Sequence, residues 1–253
     1  MPNIEINNPI GVPFIEIYSV DSTNNYAMQQ LQKGITQHGV AYFAHTQYAG
    51  KGQRGKKWQA TAGENVILSV VLNTSYLQVS KQFGLSMAMA MAAYDLFASY
   101  TPKNSFIKWP NDLYWCDRKA GGILIENVIR GKDWQWSIAG IGININQTIF
   151  DSDALNAVSL RQITGKTRDP VKLAKELCNH LERRYNQLIN QGIKNLLAEY
   201  NSVLYKRDKL VKLKKTNVLF EATIKEVNEF GQLLVEAGTK QTYNAGEIEW
   251  IVT

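Results

Sequence analysis

The residues best suited to chemistry crowd into one loop, Gly50-Lys51-Gly52-Gln53-Arg54-Gly55-Lys56-Lys57-Trp58. Four cations and three glycines fall within nine residues, and no acid lies between Asp21 and Glu64 to cancel their field. Glycine lets a backbone approach a ligand closely. Backbone N–H groups that converge with cations form an anion site. The chemistry on offer is therefore the gripping of phosphate. The plainer alternative is a solvated basic hairpin loop, since charge runs usually face water.

Two phosphate motifs can be laid on this loop, and neither holds. Gly50, Gly52 and Gly55 have the spacing G-x-G-x-x-G, but that fingerprint needs a helix opening at its end. Here Val66 to Leu72 follows and reads as a strand. Gly50, Gly55 and Lys56 approach a P-loop, which requires Ser or Thr next to hold magnesium; this chain has Lys57.

Further candidates come later in the chain. Ile107-Lys108-Trp109-Pro110-Asn111-Asp112-Leu113-Tyr114-Trp115 reads as two strand pieces around Pro-Asn-Asp turn chemistry. Asp117-Arg118-Lys119-Ala120-Gly121-Gly122 then leads into the strand Ile123 to Glu126. The paired glycines let a group approach the backbone beside Lys119, although a lysine taken in isolation is more commonly just exposed. From Ser137 to Asn146, Ala139, Ile141, Ile143 and Ile145 alternate with Gly140, Gly142, Asn144 and Asn146. In a strand these sets face opposite ways, so one face is core and the other lacks bulk. A ligand lying flat there, or another backbone in close contact, would account for the glycines.

The elements that must position these residues follow from pattern. Phe14 to Tyr18 alternates as a strand, after a lead-in over residues 1 to 13 expected to be loose. Asp21-Ser22-Thr23-Asn24 supplies N-cap side chains for a helix to about Lys33, stopped by Gly34. Capping alone would explain Ser22 and Thr23. Lys81 to Tyr100 reads as a helix capped by Ser80, its Met and Ala stripe taken as core. A short helix is expected over 152 to 164, and a long one from Asp169-Pro170 to about Asn190, broken by Gly192. Short alternating segments from Lys209 to Thr253 read as a small β-barrel. The expected division is residues 1 to 205 and 206 to 253.

Composition narrows the function classes. At 253 residues, 45% hydrophobic and 20% charged, the chain is an ordinary globular protein with room for a large core. Its net charge of +6 favours an anionic partner. Cys116 and Cys178 are far apart, and His38, His45 and His180 are scattered. Neither a disulfide framework nor a metal cluster is indicated, and a reducing cytoplasm fits. The N-terminus lacks the basic and apolar regions of a signal peptide. The apolar helix around Leu85 to Ala98 contains Asp95 and is too short to span a membrane.

Taken together, these stretches resemble biotin–protein ligase, also called biotin–[acetyl-CoA-carboxylase] ligase. The likeness rests on Asp21-Ser22-Thr23-Asn24, the Gly50 to Trp58 loop, Lys108-Trp109-Pro110-Asn111-Asp112, Asp117-Arg118-Lys119, Gly140-Ile141-Gly142-Ile143-Asn144 and Gly246-Glu247-Ile248. They occur in the family's order over residues 14 to 253. The K-W-P-N-D-L-Y run followed by D-R-K is specific; the other pieces alone are not. The resemblance implies an α+β fold: a mixed sheet flanked by helices, as in class II synthetases and biotin–lipoate ligases, with a small SH3-like C-terminal barrel.

It also implies a function. Biotin and ATP, with Mg2+, give biotinyl-5′-AMP and pyrophosphate; a lysine of a biotin carboxyl carrier protein domain then takes the biotin. By resemblance, Ser22, Thr23 and Gln47 bond the ureido ring, with Asn24 in the same motif, and Gly121 and Gly122 line the biotin site. Gly50, Lys51, Gly52 and Gln53 form a lid over ligand and adenylate. Lys119 sits between the biotin carboxylate and the α-phosphate. Arg54, Lys56, Trp58, Lys108 and Asn111 lie near the nucleotide, and Asn144 near its phosphates or magnesium. Asp112 receives the incoming lysine. The family's loop is usually written G-R-G-R-x-G-R, whereas this chain has Lys51, Gln53 and Lys56 at the arginine positions. Some members carry an N-terminal winged helix-turn-helix and act as repressors. Only about a dozen residues precede the first expected strand here, so DNA binding is not implied. No membrane partner is expected, and a homodimer is compatible. Two alternatives remain: a lipoate–protein ligase of the same fold, and a nucleic-acid-binding module using the basic loop and six tryptophans.

Overall fold

The computed structural model describes residues 8–151, 154 and 156–251. Seven strands form the main sheet: β1 (Phe14–Val20), β2 (Ala41–Gln47), β3 (Asn65–Asn73), β4 (Ser105–Lys108), β5 (Asp112–Trp115), β6 (Arg118–Arg130) and β7 (Asp133–Asn144). Their spatial order is β1-β2-β3-β7-β6-β5-β4. The sheet is mixed, because β1 and β2 are parallel while the other neighbours are antiparallel.

Strand β3 explains why the sheet has two working faces. Val66, Leu68, Val70 and Leu72 point into the main core with Ala139, Ile141 and Ile143 of β7. Helices α2 (Gln82–Tyr100) and α4 (Pro170–Gln191) cover that face. Met87, Ala88, Met89, Ala90, Met91, Ala92 and Ala93 are all buried, as a helix rich in small and pliable side chains allows. Each large apolar side chain so buried contributes about 1.5–3 kcal/mol. The alternate residues Ile67, Ser69 and Val71 face the other way, beside Gly142, Gly140 and Ile138. Helix α1 (Thr23–Gln32) lies over part of this second face, where Ala27 packs with Val71 and Ile138.

Ser22 caps α1 by accepting from the Asn25 amide, and Asp169 caps α4 with Pro170 in the first turn. Gly192 separates α4 from α5 (Ile193–Ser202). Three local expectations are corrected. Ser80 does not cap α2; it lies in a 3-10 turn, Val79–Lys81, that leads into the helix. From residue 8 the lead-in is anchored: the Ile10 amide donates to Glu182 Oε2 at 2.8 Å and its side chain is buried. In the 152–164 stretch the helix α3 covers only Leu160–Thr164, started by a Ser159–Gln162 capping box; residues 152, 153 and 155 lie outside the described residues.

The remaining strands, β8 (Leu210–Lys215), β9 (Val218–Val227), β10 (Leu233–Ala237), β11 (Thr239–Tyr243) and β12 (Glu249–Ile251), form an antiparallel sheet in the order β11-β10-β9-β8-β12. Among the described residues the end strands, β11 and β12, do not pair, so this is an open SH3-like sheet rather than the closed barrel expected. Its buried Leu213, Ile224, Val227, Leu233 and Val235 join the main core, so its apolar side is covered by the larger unit. The Trp109 indole reinforces the junction by donating to the Gly231 carbonyl at 2.9 Å. No helix among the described residues is long and apolar enough to cross a membrane.

Candidate active site

A cleft of about 670 Å³ opens on the second face of the main sheet. It brings together Ser22, Thr23, Asn24, Gln47, Lys51, Gly52, Gln53, Arg54, Lys56, Trp58, Lys108, Asn111, Asp112, Lys119, Gly122 and Asn144 from stretches that are far apart in sequence. Gly50 and Gly121 are not in its lining. A Cβ on Gly50 would lie 2.2 Å from the Trp58 carbonyl, and one on Gly121 would lie 2.7 Å from the Gly142 carbonyl. In this structure both glycines serve close backbone packing.

One end of the cleft is a network of buried polar groups at the start of α1. The Thr23 amide donates to Gln47 Oε1 at 2.8 Å. Ser69 Oγ is within 2.7 Å of Thr23 Oγ1 and 2.6 Å of Asn24 Oδ1. Asn24 Nδ2 donates to Glu126 Oε2 at 2.8 Å. Thr23, Asn24 and Ser69 are all buried, and buried polar groups persist when they are paired in this way. Ser69 and Glu126 escaped the sequence reading. The signal for Ser69 was a lone hydroxyl in the apolar run Val66 to Leu72. Nothing distinguished Glu126 from an ordinary strand-end acid.

The glycines of β7 make room for side chains. A Cβ on Gly140 would sit 2.2 Å from Asn24 Oδ1, and one on Gly142 would sit 2.4 Å from Trp58 Cε2. The bare strand face is thus filled by Asn24 and by the Trp58 ring, not by another backbone. The buried Trp58 Nε1 has no partner among the described residues.

The basic loop is a narrow hairpin on the rim. Lys51 and Lys57 bridge, and the Gly52 amide donates to the Lys56 carbonyl at 2.6 Å. Gln53–Gly55 forms a 3-10 turn in which Arg54 adopts a left-handed φ of 56°. The Arg54 guanidinium lies on Gly246 of the C-terminal unit, where a Cβ would meet its Cζ and both Nη atoms within 2.0 Å. Only glycine leaves that space, and its φ of +91° also favours glycine.

At the middle of the cleft Lys119 Nζ pairs with Asp112 Oδ1 at 2.8 Å. Adjacent strands β5 and β6 hold the two residues, and Gly122 keeps the space beside them open. Lys108 Nζ stands nearby, 3.1 Å from the Tyr114 hydroxyl and over the rings of Tyr114, Trp250 and Tyr205 at 4.7, 5.4 and 5.9 Å. Burial pushes its ammonium down to about 8, with the Asp112 carboxylate opposing and Lys119 and Lys56 assisting. Burial also raises the Tyr114 phenol. The aromatic cage was not foreseen, because two of its members come from the chain's last fifty residues. Two amides expected at the nucleotide are engaged with backbone: Asn111 Nδ2 donates to the Ile123 carbonyl at 2.5 Å, and Asn144 Nδ2 to the Val158 carbonyl at 3.2 Å.

The cleft therefore joins a polar recognition end, a lysine–aspartate pair and a cationic rim. Residues 16–144, from β1 through β7, match the biotin/lipoate A/B protein ligase family. A biotin–[acetyl-CoA-carboxylase] ligase of Paracoccus denitrificans is 32% identical over 179 residues, covering 68% of this chain and 72% of that protein. The chain belongs to the biotin/lipoate A/B protein ligase family. The family's bifunctional ligase/repressor BirA of Salmonella typhimurium is 29% identical over 232 residues, 90% of this chain and 71% of that one. In fold, a biotin protein ligase of Aquifex aeolicus, solved in complex with biotin and ATP, matches 95% of this chain and 99% of its own with a TM-score of 0.80 at 24% identity. The mixed helix-flanked sheet anticipated from sequence is thus the family fold, and the chain is a ligase.

Proposed function

We propose that this ligase adenylates biotin and transfers it to a lysine of a biotin carboxyl carrier protein domain. The observation that carries the reading is the Lys119–Asp112 pair, 2.8 Å apart, set in one cleft between the polar end at Ser22–Asn24 and the cationic loop. Relatives named as biotin–[acetyl-CoA-carboxylase] ligases support biotin over lipoate.

In the first step a biotin carboxylate oxygen attacks the α-phosphorus of ATP; the bond to the bridging oxygen breaks and pyrophosphate leaves. Negative charges must converge, so fixed cations lower the barrier. Lys119 meets both anions, and Lys51, Arg54, Lys56 and Lys108 supply the surrounding positive field. Ser22, Thr23, Asn24 and Gln47 hold the ureido ring, and Trp58 offers the nucleotide a flat apolar surface. The loop then shields the mixed anhydride from water. In the second step the carrier lysine amine attacks the acyl carbon and AMP leaves. Asp112 receives the lysine and its proton.

Magnesium, when bound, neutralises phosphate charge. Among the described residues no three His, Cys, Asp or Glu side chains group as a metal cage. The donor set therefore suits an ion carried mainly by the phosphates, and Asn144 is the side chain we place near it. We take residues 1–205 as the catalytic unit and 206–253 as a small unit that completes the cleft through Gly246 and Trp250. The carrier is expected to be acidic near its target lysine, matching the net charge of +6. The test is pyrophosphate release that requires biotin; release without biotin, or with lipoate alone, counts against the reading.

A further inference from the structure

Glu126 lies outside the lining of the cleft and takes no part in the chemistry described above, yet its carboxylate touches two groups that do. Oε2 accepts from Asn24 Nδ2 at 2.8 Å, and Oε1 faces Lys51 Nζ at 3.3 Å. Through Asn24 the contact continues to Ser69 and Thr23, and from Thr23 to Gln47. One unbroken chain of polar contacts thus runs from the cationic loop to the recognition end, and Glu126 is its only acid.

The chemistry of the two oxygens differs. Asn24 is buried, and an amide can sit either way round. Its Nδ2 also lies 3.4 Å from the Leu124 carbonyl, but the shorter bond is to Glu126 at 2.8 Å, and a carboxylate, which only accepts, fixes the nitrogen on that side and leaves the oxygen for Ser69. Lys51 is 42% exposed and lies on a loop with no acid of its own. An exposed ion pair of this kind is weak, so an anion arriving in the cleft can draw the ammonium away. We propose that Glu126 is a positioning residue: it orients Asn24 for the ligand and holds Lys51, and with it the loop, in place until an anionic ligand takes that lysine over. The inference rests on the biotin ligase reading for the identity of the ligand, but the tether itself does not.

Glu126→Gln and Glu126→Ala separate the two roles. The Gln carbonyl still accepts from Asn24 but no longer attracts Lys51; Ala removes both contacts. The readout is the rate at which trypsin cuts after Arg54 in the full chain, without ligand and with biotin plus ATP, together with KM for biotin. Without ligand, both variants should be cut about two- to fivefold faster than wild type, the range expected for a weak ion pair. Lys51→Gln should match that increase, and combining it with Glu126→Gln should add nothing. Biotin KM should stay within about twofold in the Gln variant and rise about fivefold or more in the Ala variant, as expected when a buried amide loses its short bond to a carboxylate and keeps only the 3.4 Å contact with the Leu124 carbonyl. Equal cutting of wild type and Glu126→Gln, or additive effects with Lys51→Gln, overturns the tether. An unchanged KM in Glu126→Ala overturns the orientation role. A general structural role would instead lower Tm and disturb KM alike in both variants, which also overturns the proposal. If wild type gains no protection from biotin plus ATP, the ligand reading fails while the ligand-free comparison still decides the tether.

Discussion

Replacing Lys119 by Met should separate catalysis from stability. Lys119 Nζ is 2.8 Å from Asp112 Oδ1, but the side chains are 36% and 25% exposed. Water can therefore solvate the carboxylate left behind, and an ion pair of this exposure contributes about 0–1 kcal/mol. For a chain of this size that is a shift of about 2–4 °C in Tm at most. The chemistry should suffer far more. Removing one preorganised charge from a site that gathers anions costs about 2.7–4 kcal/mol, or 10²–10³ in rate. Lys119→Arg should rescue little. A planar fork cannot replace the compact ammonium that meets two anions at this point. The assay is biotin-dependent exchange of labelled pyrophosphate into ATP, with a thermal melt alongside. A rate within about threefold of wild type, under 1 kcal/mol of barrier, would refute the assigned role. A melt lowered by tens of degrees would refute the stability argument.

Three further outcomes are expected. Gly142→Ala would place a methyl 2.4 Å from Trp58 Cε2, and overpacking of this kind costs about 1–3 kcal/mol; ATP should bind about tenfold more weakly by calorimetry, and full affinity would contradict the packing account. Lys108, held near 8 by burial, loses its proton in the folded chain before a free lysine would, so its charged form costs stability fully below about pH 8, a cost that fades as the pH rises toward 10.5. An anionic adenylate favours that charged form, so binding at pH 8.5 should take up protons, seen as a buffer-dependent enthalpy that Lys108→Met removes. Gln53→Arg should restore a charge-assisted hydrogen bond of about 1.5–3 kcal/mol and slow release of biotinyl-AMP about tenfold or more; equal release would mean that Arg54 or Lys57 already fills the role.

The parts of the site legible in the sequence were those with unusual local chemistry. The Gly50 to Trp58 loop declares itself by an excess of cations and glycines, and the bare face of β7 by its alternating glycines. Ser22 was readable as a cap, and it caps α1. Contacts across the sheet were not readable. Glu126 meets Asn24 although 102 residues separate them, and no local pattern encodes that pairing. Asn111 and Asn144 carry the same donors whether they face a phosphate or a backbone carbonyl, so composition could not tell that their Nδ2 atoms hold Ile123 and Val158. The C-terminal strands were recognisable from alternation. Closure into a barrel was not, because it depends on whether β11 and β12 meet, and the larger unit covers the apolar side instead.

The central claim is that this cleft activates biotin and delivers it to a carrier lysine. Its most direct test is to incubate the full chain with ATP, magnesium, biotin and an acceptor domain of a biotin-dependent carboxylase, and to follow the acceptor by intact mass. The account predicts a single added biotinyl group on one lysine, dependent on ATP and slowed about 10²–10³-fold by Lys119→Met. An acceptor that stays unmodified with biotin while a lipoyl domain gains lipoate under the same conditions would contradict it.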